Sequence, residues 1–204
     1  MKKSFYTLLM VSMLAMTSNP ARAQAWERNT KVLTLGFGAS RFYHIDDYYY
    51  GNSKKDHGWY SPMTGQFNFQ GEFGIHKYVG LGFTTGFGGR AGWTHDYRGE
   101  INMPMGMLAN FHFYQLIADK SSKNLHSDKL DIYAGASAGS GVAVAFYKNT
   151  ESDINTRRMV PLAFGGLHAG IRYYFKPQVG VTAEAGWGGH LMNAGFVFKL
   201  MNHN

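Results

Sequence analysis

The sequence predicts an all-β protein, an eight-stranded antiparallel up-and-down transmembrane β-barrel that follows a cleaved signal peptide. Three observations predict this fold. The chain holds 26 Gly and 16% aromatic residues but only 5 Pro and no Cys. Apolar residues alternate with polar or glycine residues over eight segments, which is the period of a strand. After the N-terminal segment, no apolar run approaches the roughly 20 residues of a membrane-spanning helix, so only a closed barrel would pair every backbone group in a bilayer.

The N-terminus has the features of a secretory signal peptide. Lys2 and Lys3 precede an apolar run from Phe5 to Met16, and two small-x-small sites follow, Ala21-Arg22-Ala23 and Ala23-Gln24-Ala25. We predict a signal peptide over residues 1–23, cleaved after residue 23 or 25, and a barrel domain over residues 26–204. The first 23 residues carry three cations and no acid, so their removal lowers the formal charge from +7 to +4. That charge is too mild to indicate a nucleic-acid partner.

The predicted strands are taken in chain order. In each, the apolar residues share one face and small or polar residues share the other, as in a lipid-facing barrel wall. The sixth segment changes phase near Gly165-Gly166, which predicts a β-bulge. In the closing strand, Phe196, Phe198 and Leu200 oppose Gly195, Val197 and Lys199. The eight segments are Val32–Phe42, Gln66–Ile75, Tyr78–Arg90, Ile101–Gln115, Leu130–Phe146, Val160–Phe175, Val179–Trp187 and Asn193–Leu200.

The predicted connections alternate in length. Long polar stretches at His44–Thr64, Gly92–Glu100 and Tyr147–Arg158 alternate with tight turns at His76-Lys77 and Lys176-Pro177-Gln178. This alternation predicts an up-and-down barrel with both termini in the periplasm. Leu116–Asp128 is long for a periplasmic turn and is a candidate for a short helix, whereas Gly188–Leu191 is short for an outer loop.

A soluble sandwich or lipocalin-type barrel is the competing fold. Such a fold shows a polar exterior, whereas the second face here is rich in glycine and poor in lysine, which suits the crowded interior of an eight-stranded barrel. Aromatic residues near the strand ends, among them Tyr133, Tyr173 and Trp187, suit interfacial girdles.

Two stretches carry a resemblance to a known family. They are the hairpin from Tyr173 to Gly188, in which an aromatic strand, a Pro turn and a glycine-spaced strand follow one another, and the closing strand. The chain resembles the small outer-membrane β-barrel proteins of the OmpX and OmpA-transmembrane-domain type, in the versions common in Bacteroidota. The resemblance implies the outer membrane of a Gram-negative bacterium and insertion by the barrel-assembly machinery. It also implies an assembly signal at Asn193, Gly195, Phe198 and Leu200, although this chain continues for four residues beyond the usual end.

The predicted interior collects ionisable side chains. The interior of an eight-stranded barrel is just filled by side chains, and an unpaired buried charge is costly, so these groups are expected to form a network that seals the lumen. A gated proton or ion path through the same network is the functional alternative. The strands on either side of the Lys176–Gln178 turn are neighbours, in a register that sets Arg172 opposite Thr182 with Glu184 on the diagonal. We therefore predict that Arg172 pairs with Glu184, and that Lys199 lies near Glu184 or Glu72. The predicted lumen residues are Glu72, Arg90, His112, Asp131, His168, Arg172, Glu184 and Lys199.

The polar loops hold further candidates. Exposed aromatic residues suit recognition of an extracellular protein or glycan, and equally suit anchoring of the barrel rim; they are Tyr48, Tyr49, Tyr50, Trp59 and Tyr60. Basic residues, if not simply solvated, would contact lipopolysaccharide phosphates; they are Lys54, Lys55, Lys148, Arg157 and Arg158. His44, Asp46, Asp47 and His57 lack a specific metal-binding spacing, so we predict neither a metal nor a cofactor.

The function class follows from these features. His190-Leu191-Met192-Asn193-Ala194 is faintly similar to a stretch of the lipid A deacylases, but Met192 stands where the nucleophilic serine would be. We therefore predict a non-enzymatic, monomeric outer-membrane barrel with a sealed polar interior, acting in envelope structure or surface interaction through its outer loops. Its expected partners are outer-membrane lipids and lipopolysaccharide. The alternatives are a narrow channel or lateral conduit for small or hydrophobic solutes and, less favoured, a lipid A-modifying enzyme.

Overall fold

The computed structural model describes residues 24–40, 43–44, 64–91, 97–121, 125–148, 155–187 and 189–200. Nine strands and one helix lie in these ranges, and β2 is only two residues long. In chain order the elements are β1 (Lys31–Ser40), β2 (Tyr43–His44), β3 (Thr64–His76), β4 (Val79–Ala91), β5 (Tyr97–Phe111), α1 (Phe113–Lys120), β6 (Leu130–Lys148), β7 (Asn155–Lys176), β8 (Val179–Gly186) and β9 (Met192–Leu200).

The eight long strands form a closed antiparallel ring. Each pairs with the next long strand along the chain, and β9 returns to pair with β1, with Gly36 opposite Gly195 and Thr34 opposite Val197. Closure leaves no free edge along this seam. The predicted fold class, an eight-stranded up-and-down barrel, is therefore confirmed.

The two faces of the wall are opposite in polarity. Large apolar side chains point outward, and Phe67, Met107 and Leu167 are 66%, 71% and 72% exposed. On β3 the alternate residues Gln66 and Glu72 are 2% and 5% exposed and face the interior. An apolar exterior around a polar interior is the arrangement of a barrel whose outer solvent is lipid. No helix within the described ranges is long and apolar enough to span a bilayer.

Strand β7 corrects one prediction. No bulge occurs at Gly165-Gly166, because β6 and β7 pair without interruption there, with Ser137 opposite Gly166 and Ala138 opposite Gly165. The alternation gave the impression of a change of phase, because the inward face of β7 is apolar in its first half and polar in its second half. Val160, Leu162 and Phe164 are buried toward the interior, as His168 and Arg172 are farther along the strand.

Several element boundaries also differ from the sequence prediction. β5 already begins at Tyr97, β6 extends to Lys148 and β7 begins at Asn155, so parts of two predicted outer loops belong to the sheet. The connection between β5 and β6 holds the helix α1, which begins at Phe113, inside the stretch predicted as strand. We call the end of the barrel with α1 and the turns at Lys77-Tyr78 and Pro177-Gln178 the turn end, and the opposite end the loop end.

The wall is uneven in height. β6 and β7 have 19 and 22 residues, whereas β8 and β9 have 8 and 9. β8 stays paired with β7 as far as Gly186 and His168, and the short strand β2 pairs farther along the same edge of β7, at Leu162 and Ala163. The continuation of the chain after β1 thus covers part of the β7 edge that the short β8–β9 hairpin leaves free.

Candidate functional site in the barrel interior

A quartet of charged side chains crosses the interior near the turn end. Arg172 donates to Glu72 over 2.6 Å (Nη2 to Oε2) and to Asp131 over 3.4 Å (Nη1 to Oδ2). His112 lies between the same two carboxylates, with Nδ1 2.8 Å from Asp131 Oδ1 and Nε2 2.9 Å from Glu72 Oε1. Since a carboxylate only accepts hydrogen bonds, both contacts are satisfied when both ring nitrogens of His112 carry a proton. Two anions then face two cations in a closed ring.

The register of the strands explains how the quartet assembles. Asp131 on β6 and Arg172 on β7 are direct partners across the sheet, and both point inward. His112 directly follows β5, and Glu72 reaches the group from β3. Gly80 on β4, diagonal to Glu72 across the sheet, leaves the space that the carboxylate occupies, because a Cβ atom there would collide with Glu72 Oε1. Glycines on the inward face thus make room for long charged side chains.

A second layer is centred on Glu184. Its carboxylate accepts hydrogen bonds from Tyr133 Oη at 2.5 Å, Gln70 Nε2 at 3.0 Å and Asn193 Nδ2 at 3.3 Å. His190 Nε2 lies 3.1 Å from Glu184 Oε2, an ion-pair distance. Gly170 leaves the space for the Tyr133 ring, since a Cβ atom there would lie 2.5 Å from the phenol oxygen. A carboxylate that is 4% exposed therefore has both oxygens occupied by neighbouring side chains.

The predicted pair between Arg172 and Glu184 is wrong. Arg172 does stand opposite Thr182, as the predicted register requires, but its guanidinium turns to Glu72 and Asp131. Its Cζ lies 4.2 Å from the centroid of the Tyr133 ring, so the phenol separates it from Glu184. A guanidinium above an aromatic face is a favourable cation–π contact.

Lys199 also departs from its predicted partners. It hydrogen-bonds the backbone carbonyl of Gln24, and its nearest anion among the described residues is Glu27, at 4.0 Å. Of the other predicted lumen residues, His168 is buried with Nε2 2.8 Å from Asn110 Oδ1. Arg90 lies on β4, and its side chain is outside the described part of the structure.

The residues before β1 close the turn end. We call Gln24 to Thr30 the N-terminal plug. Trp26 is fully buried and its ring stacks on His112, with centroids 3.5 Å apart and planes 7° apart. The Ala25 amide donates to Ser127 O over 2.7 Å, and the Asn29 amide donates to Gly74 O over 2.8 Å. Asn29 adopts a left-handed conformation with φ 68°, which asparagine tolerates better than most residues.

The interior changes character toward the loop end. Gln66 donates to Asn68 over 2.7 Å and Asn68 donates to Asn193 over 3.1 Å, which extends the polar chain from Glu184. Beyond it, Ala143, Ala145, Val160 and Leu162 form a buried apolar cluster. A cavity of about 10 Å³ between Gln66, Ser137 and His190 has room for about one water molecule. In the described residues the interior is thus filled at several levels.

At the turn end, a polar clamp fixes α1 to the β3–β4 turn. Asp119 Oδ2 lies 2.8 Å from Lys77 Nζ and accepts a hydrogen bond from Tyr78 Oη over 2.9 Å. Burial alone would raise the pKa of Asp119, but the contacts with Lys77, Tyr78 and Gln115 outweigh it and lower that pKa. The hydrogen bond to Asp119 raises the pKa of both Lys77 and Tyr78.

Other predicted residues lie elsewhere. The five aromatic loop residues lie outside the described residues, as do Asp46, Asp47, His57, Lys54 and Lys55. Where residues are described, no group of three His, Asp or Glu side chains could hold a metal ion. Arg157 is exposed at the loop end, with Cζ 5.9 Å from the Phe146 ring centroid. His190 is buried, whereas Met192 is 64% exposed on the outer face.

The proposed assembly-signal residues all lie on β9. Asn193 is buried and bonded to Glu184, and Gly195 faces Gly36 across the closing seam. Leu200 is 43% exposed on the outer face, and Phe198 is half-buried.

Sequence reasoning missed several interior residues. Gln70 and Asn193 occupy inward positions of the alternation, so the sequence allowed their burial to be predicted. It did not indicate that both would hydrogen-bond Glu184. The alternation placed Tyr133 on the inward face, where it is fully buried, so its assignment to an aromatic girdle was wrong. Trp26 precedes the first periodic segment, and no pattern in the sequence indicated its place in the plug.

Comparisons with solved structures agree with the fold. The chain is similar to Ail, the attachment invasion locus protein of Yersinia pestis, with a TM-score of 0.50 and 13% identity, over 84% of this chain and 99% of that one. The N-terminal β-barrel domain of Pseudomonas aeruginosa OprF gives a TM-score of 0.44 and 14% identity, over 86% and 99% of the two chains. The outer membrane protein AlkL gives 0.45 and 11%, over 93% and 99%.

No family model matches the chain, and no curated protein matches it. The likeness to Ail therefore shows a shared fold. With its lipid-type exterior and filled polar interior, the molecule has the fold of a small outer-membrane β-barrel.

Proposed function

We propose that this protein is a sealed, non-enzymatic barrel of the outer membrane of a Gram-negative bacterium, acting in envelope structure or surface interaction through its outer loops. The observation that carries the proposal is the interior, where Trp26, Arg172 and Tyr133 are at most 1% exposed and span the lumen. Because buried side chains fill the lumen, partners cannot enter it. They would bind instead at the surface of the loop end. In this proposal both termini lie in the periplasm, at the turn end.

The partners proposed for the wall are outer-membrane lipids and lipopolysaccharide. The apolar outer face requires lipid, and Arg157 beside Phe146 stands at the loop end of that face, where lipid phosphates would lie. Barrel-assembly machinery would act on β9 during insertion. An extracellular protein or glycan is the proposed partner of the aromatic first loop.

Conductance in planar lipid bilayers tests the sealed interior. The purified wild-type protein is expected to give no steady openings. The double variant Trp26→Ala, Arg172→Ala removes the indole of the N-terminal plug and the guanidinium at the centre of the quartet. It is expected to give openings in its folded, heat-modifiable form. Phe67→Ala, on the lipid-facing side, is the matched control and should leave the bilayer silent. Steady openings by wild-type protein would favour the narrow channel instead.

The polar chain from Gln66 through Asn68 and Asn193 to Glu184 is the observation that favours this second candidate. A lipid A-modifying activity is not favoured, because His190 faces the lumen while Met192 faces lipid. An altered lipid A mass in cells that overproduce the protein would revive it.

A further inference from the structure

The folded barrel uses two residues that lie between the two candidate cleavage sites, Gln24 and Ala25. We propose that the mature protein begins at Gln24, so that the export signal is removed between residues 23 and 24 and not after residue 25. The inference rests on the proposal that residues 1–23 are an export signal.

Gln24 supplies a partner to an inward-facing cation. Its carbonyl oxygen accepts a hydrogen bond from Lys199 Nζ. The Lys199 side chain is only 11% exposed, and its nearest described anion, Glu27, is 4.0 Å away and 51% exposed. Among the described residues, a chain that lacked Gln24 would leave this ammonium with only the distant Glu27 carboxylate, and a poorly solvated charge without close partners is costly.

Ala25 is part of the fold in its own right. Its side chain is 2% exposed and belongs to the apolar cluster of Trp26, Val32, Tyr174 and Val197. Its amide donates to Ser127 O over 2.7 Å and so ties the plug to the segment between α1 and β6. Cleavage after Ala25 would remove both the buried methyl group and this hydrogen bond.

Trp26 is an unfavourable place for a new amino terminus. In the intact fold Trp26 is fully buried and its ring stacks on His112, so cleavage after Ala25 would start the chain with an α-ammonium on a residue that packs inside the barrel. Gln24, by contrast, is only partly buried, so its α-ammonium can reach water. The structure therefore favours the first site.

The first test is the intact mass of protein extracted from outer membranes. The expected mass is that of residues 24–204, with or without the loss of ammonia that accompanies cyclisation of an N-terminal glutamine. A mass that begins at Trp26 would overturn the inference while leaving the export signal in place. A chain that retains Met1 would overturn the export signal as well, so the two failures are distinguishable.

The second test asks whether Gln24 and Ala25 matter to the folded barrel. Chains that start at Ala23, Gln24 and Trp26 are released from a cleavable tag and refolded in detergent. The first two are expected to share one urea midpoint, and the third to unfold at a lower urea concentration. Equal midpoints for all three chains would contradict the structural reason for the cleavage site.

Discussion

At the scale of single residues, the quartet of Glu72, His112, Asp131 and Arg172 behaves as one unit. Each carboxylate touches both cations, so the removal of any member leaves the others with an uncompensated charge. The interior excludes water around these groups, which makes such an imbalance expensive.

His112→Leu tests this unit. The substitution removes one cation and the stacking partner of Trp26, and is expected to lower the free energy of unfolding by about 3–5 kcal/mol. Urea unfolding of the refolded protein, followed by tryptophan fluorescence, measures it. His76→Leu, at an exposed histidine on the turn end, loses only a solvent-exposed hydrogen bond from the Tyr78 amide and should cost no more than about 1 kcal/mol. Similar losses in both variants would contradict the role of the quartet.

The sequence allowed the inward face of these residues to be predicted, but not their partners. Alternation assigns a side chain to a face of the wall and says nothing about which way a long side chain turns inside the lumen. Arg172 illustrates this limit, since its register opposite Thr182 was predicted correctly and its ion pairs were not. Lys199 was mispredicted because its partner, Gln24, lies outside any strand.

At the scale of elements, α1 depends on its clamp to the β3–β4 turn. The lowered pKa of Asp119 means that its ionised form stabilises the docked helix, so this stabilisation is present above the ordinary value of 3.8 and is lost as the pH falls through the lower folded value. The raised pKa values of Lys77 and Tyr78 act at the other extreme, where docking weakens as the pH rises above about 10.

Acidification should therefore loosen α1 before it affects the barrel. NMR chemical shifts of residues in α1 are expected to move toward coil values below pH 3.8, while those of β3 and β4 stay unchanged. Asp119→Asn should show the loosened helix at neutral pH and no acid step. The effect is small, because nearly half of the Lys77 side chain is exposed to water. An acid step that survives in Asp119→Asn would assign it to another group.

The seam between β1 and β9 depends on two facing glycines. A Cβ atom at Gly195 would collide with the backbone oxygen of Leu35, whereas one at Gly165 on β7 would come no closer than 3.9 Å to any neighbour. The closing strands therefore approach each other more closely at this point than a side chain permits.

Gly195→Ala should accordingly impair ring closure, while Gly165→Ala should not. Refolding into detergent micelles, scored by the fraction of protein that reaches the heat-modifiable form, separates this effect from the assembly machinery. We expect a clear loss of folded yield for Gly195→Ala and wild-type yield for Gly165→Ala. Equal yields would show that the seam can shift to admit a methyl group.

At the scale of the whole molecule, the barrel was predictable because every strand has an apolar outer face and a small or polar inner face. This arrangement gives each strand an alternation with a period of two residues. The strand count, the pairing order and the outward faces followed from that alternation. β7 misled the prediction because its inward face is apolar at Val160, Leu162 and Phe164 and polar at His168 and Arg172. The start of α1 at Phe113 was missed because the alternation of β5 continues past its last paired residue.

A closed ring of this kind should resist detergent until it is heated. The unboiled protein is expected to migrate differently from the boiled protein in a denaturing gel, because a folded barrel binds less detergent. Gly165→Ala provides a folded reference. Identical migration of boiled and unboiled wild-type protein would argue against a closed barrel.

The uneven wall sets how far different parts of the protein stand from the cell. β7 is 13 residues longer than β9, which is about 43 Å of extended chain at ~3.3 Å per residue. At the strand tilt of about 35–45° usual in such barrels, this length rises roughly 30–35 Å along the barrel axis. In the proposed orientation, an epitope inserted between Lys148 and Asn155 would rise above the sugar layer, whereas one inserted beside Gly189 would lie beneath it. Antibodies on intact cells should therefore bind the first tag and not the second. The same protein could then display an inserted epitope and report how far the surface sugars block antibody access.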